Sequence, residues 1–158
     1  MIKFFEDYVI GEETTLGAHA FTREEIIAYA REFDPQPFHF DEEAAKASIF
    51  GGLCASGWHT GCVGMRIIVE SRDRLRARQI EAGGRVPLLG VSPGFTNMRW
   101  PNPTRPGDTI TYSSRVLSKR ETKRQQWGLV GIRTRGVNQN GLEVLSMDSL
   151  VFIERRDV

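Results

Sequence analysis

The chain has 158 residues, the length of one domain, and a domain of this size buries about two-thirds of its unfolded surface, so it needs neither disulfide nor metal to fold. A hydrophobic content of 40% with 26% charged residues is ordinary for a soluble globular protein. The net charge of +1 excludes nucleic-acid binding through a general basic field.

Met1-Ile2-Lys3-Phe4-Phe5-Glu6-Asp7 is charged from the outset and does not resemble a secretion signal. A cytoplasmic protein is therefore expected, with Cys54 and Cys62 buried and reduced in their apolar surroundings. Residues 4–20 read as a short strand with an exposed edge. Thr22 followed three residues later by Glu25 is a capping-box signature. Ile26, Ile27, Ala30 and Phe33 then recur at helical spacing, which predicts a helix over 23–33 ended by Pro35 and Pro37. Asp41-Glu42-Glu43 before Ala44-Ala45 predicts a second, short helix with acids in its first turn, broken by Gly51-Gly52.

From Ala47 to Met65 there is no Lys, Arg, Asp or Glu. The stretch approaches a membrane span in length. Its Ser48, Gly51, Gly52, Ser56, Gly57, His59, Thr60 and Gly61 make it too polar and too rich in glycine for lipid, so no membrane association is expected. It reads instead as a buried helix over 57–70, capped by Ser56. Residues 71–87 form a charged excursion with Arg72, Arg74, Arg76, Arg78 and Arg85. A solvated segment is the plain reading, and phosphate recognition through arginine forks is the alternative. Strands are expected over 88–100, 108–119, 125–137 and 142–154, with Asn140-Gly141 as a hairpin signal between the last two. A buried helix followed by a run of antiparallel strands is an α+β pattern.

The segment from Phe33 to Thr60 carries the chemistry. Asp34 and His39 stand five residues apart across Pro35 and Pro37, whose fixed φ angles stiffen the spacer. By itself, an Asp before a proline is a turn or cap residue, and a lone His beside aromatics is a core or surface imidazole. The rigid spacing is what permits both to aim at one point. Gly57 then opens the buried helix, where unpaired amides and the helix dipole favour a developing oxyanion. A carboxylate, an imidazole and an oxyanion donor are what addition of water to a conjugated thioester requires. His19, His39 and His59 lack the spacing of a zinc site, so no metal is expected. A nucleophilic Cys54 is disfavoured against a small buried thiol.

Asp34-Pro35-Gln36-Pro37-Phe38-His39, followed by Phe50-Gly51 and Ser56-Gly57 and later by Arg105-Pro106-Gly107-Asp108, resembles the motif of the MaoC-like and (R)-specific enoyl-CoA hydratase family. That motif has Asn where Gln36 stands and an aliphatic residue where Phe38 stands. The resemblance implies a single hot-dog domain over 1–158, an antiparallel sheet wrapped around a central helix. It implies a homodimer or higher homo-oligomer acting on acyl-CoA (enoyl-CoA) by reversible hydration, without a cofactor. Asp34, His39 and the Gly57 amide are then the expected catalytic groups, with Gln36, Phe38, Ser56 and Trp58 on the substrate side. The rivals are a hot-dog acyl-CoA thioesterase, for which the central helix has no carboxylate before Glu70, and a non-catalytic acyl-CoA-binding subunit.

Overall fold

A computed structural model describes residues 1–156. Its chain order is a 3-10 turn (Phe5–Asp7), β1 (Glu13–Ala20), α1 (Arg23–Phe33), a 3-10 turn (Pro37–His39), α2 (Glu42–Ala47), α3 (Gly57–Glu81), β2 (Gly94–Arg99), β3 (Thr109–Glu121), β4 (Trp127–Val137) and β5 (Glu143–Glu154). The five strands form one antiparallel sheet in the order β1-β3-β4-β5-β2. The sheet curls around the N-terminal half of α3, which is the hot-dog arrangement.

Local chemistry accounts for the helices. The Thr22 hydroxyl accepts from the Glu25 amide at 3.1 Å and the Glu25 carboxylate accepts from the Thr22 amide at 3.1 Å, so the capping box closes as expected. Ile26 and Ala30 are the inward face of α1. Asp41 caps α2 through the Ala44 amide at 2.9 Å. Only one face of the charge-free start of α3, with Thr60, Gly61, Val63 and Gly64, is buried, because its small residues let the sheet approach. A β-carbon on Gly64 would stand 2.9 Å from the Tyr112 ring. Phe21, Ile26, Leu53, Val63, Ile67, Ile110, Tyr112 and Leu145 close the core around that contact.

Three expectations need correction. α3 does not stop near residue 70 but continues to Glu81, so most of the charged excursion is helix. Arg, Leu, Ala, Gln and Glu are strong helix formers. Ile67, Ser71, Leu75 and Gln79, four residues apart, keep one stripe against the protein. The helix ends where Gly83, at φ 70°, lets the Gly83 amide reach the Ile80 carbonyl and the Gly84 amide the Gln79 carbonyl, a Schellman closure. Residues 4–20 are not one strand, because Phe5 turns inward onto Gly128 instead. The strand expected over 88–100 is confined to 94–99, preceded by an isolated bridge from Leu89 to Ile153.

The Asn140-Gly141 hairpin forms, with Gly141 at φ 79°. Arg105-Pro106-Gly107-Asp108 is a tight turn into β3: the Asp108 amide reaches the Arg105 carbonyl at 3.0 Å, and Gly107 supplies the positive φ of 86° that a Pro-Gly turn demands. Among the described residues no helix is long and apolar enough to cross a membrane.

Candidate functional site

Asp34 is the C-cap of α1, its amide bonded to the Ala30 carbonyl at 2.9 Å. Two further backbone bonds fold the proline-stiffened spacer back: Gln36 amide to Asp34 carbonyl at 2.7 Å and His39 amide to Gln36 carbonyl at 2.9 Å. The result places His39 Nε2 3.6 Å from Asp34 Oδ2. The two side chains therefore do aim at one point, and the gap between them is slightly longer than a direct hydrogen bond.

Each partner is held from behind. His39 Nδ1 lies 2.8 Å from the Cys54 carbonyl. A carbonyl only accepts, so Nδ1 carries a proton, and Nε2 is the ring nitrogen turned toward Asp34. Asp34 Oδ1 accepts from Gln36 Nε2 at 2.8 Å and Oδ2 accepts from the Ser56 hydroxyl at 2.6 Å. Burial pushes the Asp34 pKa up, but the hydrogen bonds from Ser56 and Gln36 and the proximity of His39 outweigh it, and the net position is below the usual carboxylate value. A carboxyl biased toward its ionised form and the Nε2 edge of an imidazole thus share one small space.

Gln36, expected on the substrate side, bonds Asp34 directly through its side-chain amide. Ser56 does two things at once: its hydroxyl donates to Asp34 and accepts from the Trp58 amide at 3.2 Å, capping α3. Phe38 packs edge-on to the His39 ring at 4.6 Å and beside Phe50 at 5.3 Å, so it braces the imidazole. Gly57 is the first residue of α3, ahead of the amides that have intrahelical partners. Its lack of a side chain has a second cause, since a β-carbon there would stand 2.5 Å from the Trp100 indole. Trp58 is half exposed and meets Trp100 edge to face at 5.4 Å.

The sequence reading missed several participants. The Cys54 carbonyl leaves no trace in side-chain identity. Cys62 was expected to be buried and is exposed, beside the Tyr29 hydroxyl at 3.5 Å. The Tyr29 ring stacks on His59 at 4.3 Å. His59 is buried, and its Nδ1 is the one fully buried side-chain nitrogen or oxygen among the described residues that has no hydrogen-bond partner. Of the arginines in the charged run, Arg74 donates to the Leu16 carbonyl at 3.1 Å and Arg85 pairs with Glu154 at 2.5 Å. Arg72 lies roughly 22 Å along the helix from Gly57 at 1.5 Å per residue, far from the Asp34 site within this chain.

A profile of the MaoC-like domain matches residues 9–137. The chain belongs to the MaoC-like family. Among solved structures, the MaoC-like dehydratase from Rhodospirillum rubrum superimposes with a TM-score of 0.82 at 37% identity, covering 99% of both chains. An R-hydratase from Pseudomonas aeruginosa shares the fold, with a TM-score of 0.65 at 19% identity, covering 97% of this chain and 86% of that one. Mesaconyl-CoA hydratase from Cereibacter sphaeroides is 31% identical over 98% of this chain. This MaoC-like chain spans only 42% of that hydratase's length.

Proposed function

We propose that this chain reversibly hydrates a trans-2-enoyl-CoA to the 3-hydroxyacyl-CoA. One observation carries the reading: His39 Nε2 faces the Asp34 carboxyl at 3.6 Å, beside the free amide end of a buried helix. In the hydration direction a water hydrogen-bonds both groups from beside the gap between them. Asp34 orients it, and His39 Nε2 takes its proton as the oxygen attacks C3. The electron pair of the C2–C3 double bond moves toward the thioester carbonyl, whose oxygen is met by the Gly57 amide. The imidazolium, stabilised by Asp34, returns its proton to C2. Dehydration retraces these steps. Positioned acid–base groups contribute about 10²–10⁴-fold, and a single oxyanion donor about 3–4 kcal/mol.

The family and the likeness to hydratases support hydration or dehydration of acyl-CoA in general. The mesaconyl-CoA hydratase makes short, branched and dicarboxylic enoyl-CoA thioesters the first members of a substrate panel. The thioesterase reading has no carboxylate on α3 before Glu70, about 20 Å along the helix from Gly57. The chain acts as a homodimer in this reading: β1 and β2 are open sheet edges, and Trp58, Met65 and Val69 of α3 with Phe95 of β2 expose apolar surface.

A spectrophotometric assay on the panel tests the function. Loss of enoyl absorbance without free thiol is expected. Release of free thiol indicates a thioesterase, and binding without either change indicates an acyl-CoA-binding subunit; both overturn the proposal.

A further inference from the structure

Two of the groups that orient Asp34 and His39 lie two residues apart on one extended segment, since Cys54 supplies the carbonyl for His39 and Ser56 a hydroxyl for Asp34. That segment has no regular structure of its own, and irregular backbone is held only by what bonds to it. Its bonds come from the turn before β3. The Arg105 guanidinium donates to three carbonyls in a row of four residues, to Gly52 at 2.6 Å, to Leu53 at 3.2 Å and to Phe50. The neighbouring Thr104 carbonyl accepts from the Ala55 amide at 2.9 Å.

The Ala55 amide and the Cys54 carbonyl belong to a single peptide plane. Its N–H points to Thr104 and its C=O to His39, the opposed directions that a trans peptide dictates. Residues 104 and 105 therefore hold the carbonyls on one side of this peptide and its amide on the other. Arg105 is itself placed by the turn it begins: its amide donates to Asp108 Oδ2 at 2.8 Å.

We infer that Arg105 is a positioning residue for the Asp34–His39 pair. It acts through the 50–54 backbone to hold the Cys54 carbonyl where it selects the His39 ring orientation and the tautomer with Nε2 free. A planar guanidinium with five donors reaches several carbonyls at once; a lysine ammonium is a compact point charge and does not reproduce that fork. The inference rests on the hydratase reading for its kinetic arm only.

Two measurements test it, on Arg105→Lys and Arg105→Ala beside the wild-type chain. The first is the His39 imidazole nitrogen shifts by NMR, assigned with a His39→Gln variant. Nδ1–H alone is expected in the wild type and a mixture of tautomers in both Arg105 variants. The second is turnover on the best enoyl-CoA. A fall in kcat of about 10–100-fold with KM nearly unchanged is expected, in line with the effect of small misplacements on positioned groups. Millimolar guanidinium should restore part of the kcat of Arg105→Ala and do nothing for the wild type.

An unchanged His39 tautomer in a folded variant overturns the inference, as does an unchanged kcat or a loss confined to KM. Should Arg105→Ala fail to fold, Arg105→Lys carries both readouts. If the wild type hydrates nothing while the variants still shift the His39 resonances, the hydratase reading falls and the positioning role stands.

Discussion

At the residue scale, two hydrogen bonds decide the direction in which the Asp34 pKa moves. Desolvation alone favours the protonated acid, and the Ser56 hydroxyl and Gln36 amide reverse that balance, helped by His39. Because the folded-state pKa is depressed, these bonds stabilise the fold above the ordinary carboxylate range, and that contribution is lost as pH falls through the lowered value. Ser56→Ala removes one of them and the cap of α3 together. Loss of about 1 kcal/mol of stability is expected from the cap, and an NMR titration of the Asp34 carboxyl should show its pKa moved upward. A titration curve unchanged by Ser56→Ala would mean that the hydroxyl does not hold the carboxylate. Asp34→Asn and His39→Ala should each cut turnover by at least about 10²-fold while the chain still folds; near wild-type rates in either would remove the pair from the mechanism. Gln36→Asn draws the amide back by about 1.5 Å, one C–C bond, from the Asp34 oxygen it holds at 2.8 Å. A measurable loss of kcat per folded molecule is expected there, and a larger one for Gln36→Ala.

At the element scale, α3 carries both the core and the candidate oxyanion end, and its glycines serve the two differently. Gly64 is a packing site. Gly64→Ala drives a β-carbon into Tyr112, whose hydroxyl is already committed to the Thr60 carbonyl at 2.9 Å. Overpacking of this kind costs about 1–3 kcal/mol, readable from denaturant midpoints. Gly57 is both a packing site and a candidate oxyanion donor, so a single Gly57→Ala variant confounds the two. The double variant Gly57→Ala with Trp100→Ala separates them by removing the indole the new β-carbon meets. If the amide serves the thioester oxygen, turnover stays low in the double variant relative to Trp100→Ala alone; recovery to that level assigns the loss to packing.

For the whole molecule, acid sensitivity follows from His59. Its pKa is lowered from 6.5 to about 4, first by burial and then by the nearby charges of His19 and Arg66, with Glu25 acting in the opposite sense. Between these values the unfolded chain binds a proton that the folded chain refuses, so stability falls as pH drops from 6.5 toward 4, by roughly 3 kcal/mol at most. Melting temperatures across that window should decline in the wild type and decline less in His59→Phe; parallel curves would remove His59 as the cause. The open sheet edges bear on assembly. Sedimentation of a homodimer is expected, with Phe95→Glu shifting it toward monomer, and a monomeric wild type would contradict the dimer reading.

The sequence by itself determined α1 with its capping box, the short α2 with its acidic start, the hairpin at Asn140-Gly141 and the stiff spacer between Asp34 and His39. Those features depend on interactions a few residues long, where residue type and spacing are enough. The family was also legible, because its motif is local. What only the tertiary structure decided depends on partners far apart in the chain. The reach of α3 to Glu81 follows from a sparse stripe that pays off only once the sheet is in place. The exposure of Cys62 depends on which side of α3 the sheet covers. The tautomer of His39 hangs on a backbone carbonyl fifteen residues away, and that carbonyl's place on an arginine from beyond the long helix. A peptide oxygen has no letter in the sequence, so its position is known only when the chain around it has folded.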